Sequence, residues 1–143
     1  MYNIVLLVVI VIFSVINSYH DIRDMKVYDY PLWFACYAVL ICHIIFNRQN
    51  LWIFILSGMV TGAFYYLIRL ASKKKLGIGD VYFGFFQGLC IPLIYFPICF
   101  IIEVITTVIV MNKKIGKVSF PFVPFMAVGL LVTFCLEFLI NMI

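Results

Sequence analysis

The chain has 143 residues, 66% of them hydrophobic and 11% charged, with a net charge of +4 and a mean hydropathy of +1.19. Soluble domains carry about 25% charged residues, so this composition excludes a fold solvated only by water. One all-α, polytopic membrane domain over residues 1–143 is expected, with no nucleic-acid partner and with lipid as part of its solvent.

A span needs roughly 20 apolar residues. Six apolar segments stand out in chain order: about Tyr2–Tyr19, Tyr30–Phe46, Leu51–Ala71, Val81–Ile94, Phe96–Met111 and Phe120–Ile143. The first lacks the basic start and small-residue cleavage site of a signal peptide, so it reads as a transmembrane helix. Only Pro92 and Pro97 divide the fourth from the fifth. Two prolines this close predict a turn between two helices rather than one bent helix. Gly58 and Gly62, and again Gly84 and Gly88, have the Gly-x-x-x-Gly spacing that lets membrane helices approach closely. They are read as packing positions. Cys36, Cys42, Cys90, Cys99 and Cys135 all fall in apolar stretches without a Cys-x-x-Cys pair, and read as small packing residues.

Basic residues set the topology. Arg23 and Lys26 follow the first segment; Arg69, Lys73, Lys74 and Lys75 follow the third; Lys113, Lys114 and Lys117 follow the fifth. Arg48 alone falls on the other side. The positive-inside rule then puts those three loops in the cytoplasm and both termini outside. The same alternation requires the Pro92/Pro97 turn. It also brings two acidic positions, 59 apart in sequence, to the cytoplasmic face: Asp21 and Asp80.

Only six acids occur in the chain, and an ionisable group at a membrane domain is a functional candidate by default. Asp80 closes Gly77-Ile78-Gly79-Asp80, just ahead of the fourth segment. Glycines leave space beside the chain. The bland reading of Asp80 is an N-terminal helix cap. Asp21, Asp24 and Asp29 lie in the first polar stretch, interleaved with Arg23 and Lys26, which also reads as a self-neutralising solvated loop. The sharper reading sets Asp21 or Asp24 against Asp80. Two neighbouring carboxylates do not both ionise easily, so one is left as acid and the other as base. Such a pair can drive water onto a peptide carbonyl and help the amine leave. No metal or cofactor is expected: His20, Asp21 and Asp24 offer fewer oxygens than a hard cation usually takes. Glu103 lies deepest and reads as a hydrogen-bonded structural acid, with substrate recognition as its alternative role. Glu137 is near the outer end and can snorkel.

Three segments carry a family resemblance. Asp21-Ile22-Arg23-Asp24-Met25-Lys26-Val27 resembles the first motif of type IV prepilin peptidases. Lys73-Lys74-Lys75-Leu76-Gly77-Ile78-Gly79-Asp80 resembles the second, and Pro121-Phe122-Val123-Pro124-Phe125-Met126-Ala127 the third. The resemblance implies a membrane aspartic protease of the GxGD type, catalysed by Asp21 and Asp80. Gly77, Gly79, Arg23, Lys26, Pro121 and Pro124 are the supporting motif positions. It implies prepilin or pseudopilin precursors as partners and the inner membrane as location, with cleavage of a basic leader at the cytoplasmic face. Asp24, Asp29 and Glu103 are candidate substrate contacts. The chain departs from the pattern at Tyr28-Asp29, where Pro-Asn usually ends the first motif, and at Val123, which stands for a glycine. Without a cytoplasmic Cys-x-x-Cys segment, it is similar to the minimal, peptidase-only form. Two other readings remain: a GxGD protease that cuts transmembrane segments, and a non-enzymatic transporter or scaffold built around Glu103 and Gln87.

Overall fold

The computed structural model describes residues 2–73, 75–111 and 121–141. Its six α-helices are α1 (Tyr2–Asp24), α2 (Asp29–Phe46), α3 (Leu51–Ala71), α4 (Ile78–Cys90), α5 (Phe96–Met111) and α6 (Val123–Ile140). Short 3-10 turns, Arg48–Asn50 and Leu93–Tyr95, lead into α3 and α5. Five helices are long and apolar enough to cross a membrane, three of them without, and α3 and α5 together with, those turns. The sixth, α4, has only 13 residues. Lys74, Lys113, Lys114 and Lys117, and the start of the sixth apolar segment at Phe120, lie outside the described residues.

The turn expected between the fourth and fifth segments is present, and its two prolines act differently. Ile91, just before Pro92, is extended (φ −125°, ψ 143°), as a residue preceding proline should be. That ends α4. Pro97 sits one residue inside α5, in the first turn, where a missing N–H costs nothing. The fourth helix also begins and ends earlier than Val81–Ile94. It starts at Ile78 because Asp80 caps its first turn, and it stops at Cys90 because of Pro92. The first helix runs beyond Tyr19 to Asp24, so Asp21 lies in its last turn and not in the following loop. It closes on Met25, whose φ of 51° is left-handed.

The short α4 is the most enclosed helix. It packs against α2, α3 and α6, and most extensively on α3, and ten of its 13 residues are buried. The α3–α4 seam is lined by the two glycine pairs. Side chains or backbone of α4 occupy the space a Cβ would need at Gly58 and Gly62, while Tyr65 and Thr61 occupy it at Gly84 and Gly88. The Thr61 hydroxyl lies 2.9 Å from the Gly84 carbonyl across this seam. The glycines are therefore packing positions, as their spacing suggested. Four of the five cysteines are buried as free thiols, while Cys135 is exposed on α6.

At Gly88 an added methyl would meet Thr61 and the α3 backbone at Ser57 and Gly58. Overpacking of this kind costs about 1–3 kcal/mol. Gly88→Ala is expected to lower the unfolding midpoint in detergent micelles by that order, whereas Val128→Ala, on an exposed face, leaves it near wild type.

Candidate active site

Three sequence segments meet at one end of the bundle: the last turn of α1, the first turn of α4 and the start of α6. Asp21 and Asp80 are 6% and 7% exposed there, nearly buried but not sealed. The Asp21 carboxylate is close enough to act electrostatically on Asp80, and so is the Arg69 guanidinium at the end of α3.

Each aspartate is held by backbone rather than by a side chain. One Asp80 oxygen accepts the Gly77 N–H at 2.9 Å. That is the N3 half of a capping box, and it fixes the carboxylate against its own helix. The helix-cap reading is thus borne out, and it leaves the second oxygen without a hydrogen bond among the described residues. A Cβ at Gly77 would lie 3.1 Å from that bonded oxygen, so the glycine keeps the carboxylate's flank open. Gly79 has another reason to be glycine: the Val27 side chain occupies the place of its missing Cβ. The N-terminus of α4 can therefore lie directly on the connection between α1 and α2.

Asp21 accepts the Val123 N–H at 3.0 Å, and the Phe122 backbone also hydrogen-bonds to it. These groups belong to the start of α6, with Pro124 in its first turn. A helix N-terminus presents unpaired amides and a partial positive charge, so it suits a carboxylate. The third motif thus supports the site through its main chain, which sequence reasoning missed. The Pro121/Pro124 spacing could signal a helix start, but not what its amides would face. It also removes the puzzle of Val123. Among the described residues only Met25 and Lys73 are non-glycine residues with positive φ, so no glycine is needed at 123, and the valine side chain fills a fully buried position.

The other acidic positions separate from this pair. Asp24 is exposed on the outer side of α1, near His20 Nδ1 (3.7 Å) and Arg23 (3.8 Å), and accepts from the Tyr28 hydroxyl at 3.3 Å. Asp29 is exposed in the first turn of α2. Arg23 and Lys26 are exposed at the same end. Among the described residues, no three His, Cys, Asp or Glu side chains converge as a metal site would require. Glu103 is fully buried. It accepts from the Tyr65 hydroxyl, from Gln87 Nε2 at 2.6 Å and from the Cys99 thiol at 3.2 Å, while Gln87 Nε2 also reaches the Met126 carbonyl at 2.9 Å. The network ties α3, α4, α5 and α6 together, and with no exposed surface Glu103 offers a substrate no contact in this conformation.

A family model described as the type IV leader peptidase family matches residues 8–112. The chain belongs to the type IV leader peptidase family. That match spans both aspartates and ends before the third motif. No curated protein and no solved structure matches significantly. Membership in this family, together with the apolar helices, makes the chain an integral membrane protease of the leader-peptidase kind.

The contact between Gly79 and Val27 gives a test of how finely the site is set. A displacement of about 1 Å in a catalytic group can cost about a hundredfold in rate. Gly79→Ala is expected to lower peptidase activity by about that factor. Val27→Gly in the same chain, which removes the opposing Cβ, should restore most of it. Non-additive rates across this double-mutant cycle are the measurement.

Proposed function

We propose that this leader-peptidase relative is an aspartic endopeptidase that removes the basic leader from prepilin-like or pseudopilin precursors. The observation that carries this reading is the convergence of Asp21 and Asp80 at one end of the bundle, each anchored by backbone N–H groups. In the proposed reaction one carboxylate takes a proton from water while the water oxygen bonds to the scissile carbonyl carbon. The protonated partner first supports the carbonyl oxygen. The C–N bond then breaks, the departing nitrogen takes a proton from the pair, and the products are a leader carboxylate and a new amine. Asp21 is preferred over Asp24 as the partner of Asp80, because Asp24 is exposed and engaged with Tyr28.

The charge pattern supports a cytoplasmic placement of this site. Arg23, Lys26, Arg69, Lys73 and Lys75 cluster in sequence at the helix ends that carry the aspartates, and such clusters stay on the cytoplasmic side. Both termini would then lie outside the inner membrane. A basic leader approaching that end meets the exposed carboxylates of Asp24 and Asp29, which are the proposed contacts for it.

Purified protein and a synthetic leader–prepilin substrate test the reading. Asp21→Asn and Asp80→Asn are each expected to lower cleavage by about 10²–10⁴-fold or more, with helix content unchanged by circular dichroism. Asp24→Asn should change it by less than about fivefold, the scale of an exposed ion pair. Wild-type rates in either Asp21→Asn or Asp80→Asn would remove the dyad. Preferential cutting of a leaderless transmembrane peptide would instead favour an intramembrane protease.

A further inference from the structure

The end of the bundle away from Asp21 and Asp80 contains a cavity of about 350 Å³ between α1, the α2–α3 connection and α6. Its polar lining is Tyr2, Asn3, Asn47, Asn50, Glu137 and Asn141. Nothing in the proposed peptidase chemistry uses it.

Among the described residues, the one charged side chain that lines this cavity is an acid. Among the described residues, Glu137 Oε2 is buried without a hydrogen-bond partner, and no basic side chain lines the cavity. The Asn50 amide nitrogen donates to Asn47 Oδ1 at 3.0 Å, which leaves the Asn50 carbonyl as an acceptor. Tyr2 is locked from behind. His43 is fully buried and lies 2.8 Å from the Leu89 carbonyl through Nε2. That carbonyl can only accept, so Nε2 carries the proton and Nδ1 accepts a hydrogen bond from the Tyr2 hydroxyl at 2.9 Å. The Asn47 side chain also hydrogen-bonds to the Tyr2 hydroxyl, and the ring is held in one orientation. The Glu137 carboxylate, the Asn50 amide oxygen, and aromatic walls from Tyr2 and Phe54 together suit a cation with several N–H donors.

The size and walls narrow the class. The cavity holds roughly ten non-hydrogen atoms at about 30 Å³ each, far more than a bare metal ion, and a single carboxylate is a poor set for a divalent cation. Ile53 and Phe138 line it and are 54% and 37% exposed on the apolar outer surface, so the polar floor opens onto a lipid-facing wall. We infer that this cavity binds a primary ammonium group, with Glu137 as its counter-ion. Two sources supply that chemistry at the end of a membrane helix bundle: the headgroup of an aminophospholipid and a small soluble amine.

Thermal unfolding of the full chain in phosphatidylcholine–detergent micelles tests the assignment, and needs no peptidase activity. Added phosphatidylethanolamine, phosphatidylglycerol and soluble ethanolamine are compared. A dose-dependent rise in midpoint is expected with amine-bearing additives and not with phosphatidylglycerol. In Glu137→Gln, at least tenfold more additive should be needed for the same rise. A response to phosphatidylethanolamine alone identifies a lipid headgroup, and a response to ethanolamine as well identifies the amine as sufficient. Should Glu137→Gln fail to unfold cooperatively, Ile53→Trp, which fills the cavity from an exposed wall, is expected to abolish the rise in its place. No amine-dependent rise in the wild type, or an equal rise in Glu137→Gln, overturns the inference.

Discussion

The burial of α4 is the constraint on which the rest of the structure depends. A 13-residue helix cannot cross roughly 30 Å of hydrocarbon alone, so neighbouring helices must enclose it. The glycine seam makes that possible. With no Cβ at Gly58, Gly62, Gly84 or Gly88, the α3 and α4 backbones come close enough for Thr61 to reach the Gly84 carbonyl. Lipid gives no hydrophobic drive for helices to associate, so close packing and hydrogen bonds must supply it. The buried network of Tyr65, Gln87 and Glu103 adds the second of these, fastening α4 to α3, α5 and α6.

Enclosing α4 brings its first turn inside the end of the bundle. Asp80 reaches a nearly buried position without leaving its helix cap, and Gly79 lets that turn lie on Val27. The first and last helices complete the arrangement: Asp21 closes α1 by accepting amides that open α6. Packing of α4 thus sets the depth of one carboxylate, and a helix N-terminus sets the other. Neither fixation uses a side-chain donor, so no lysine or arginine needs to be buried beside the pair.

Much of this was legible in the sequence, for identifiable physical reasons. Hydropathy located the helices because lipid demands continuous apolar runs. Pro92 and Pro97 marked the break between α4 and α5, though not the residue at which α4 ends, because proline acts on its neighbours locally and sterically. The Gly-x-x-x-Gly spacings marked the seam because small residues are what close packing requires. Other features were not legible. The Asp21 carboxylate meets its partner 102 positions away, and no local pattern encodes that contact. The contact of Pro121-Phe122-Val123-Pro124 with Asp21 is made through main-chain groups at Phe122 and Val123, which every residue but proline possesses, so residue identity could not disclose it. The cavity at the other end draws on Tyr2, Asn47 and Glu137, which share no motif and meet only through the fold.

The capping and catalytic readings of Asp80, which stood as alternatives in the sequence, are compatible in three dimensions. A carboxylate has two oxygens, and the cap engages one of them. A free aspartate side chain would sample several rotamers, and ordering it during the reaction would cost entropy. The bond to Gly77 spends that ordering in the folded state and leaves the second oxygen, unpartnered among the described residues, for the proposed reaction. Asp21 is held by backbone as well, through the Val123 N–H and the Phe122 backbone at the start of α6. On this view the glycine at 77 serves the carboxylate twice: its N–H holds one oxygen, and its missing side chain keeps the approach to the group open.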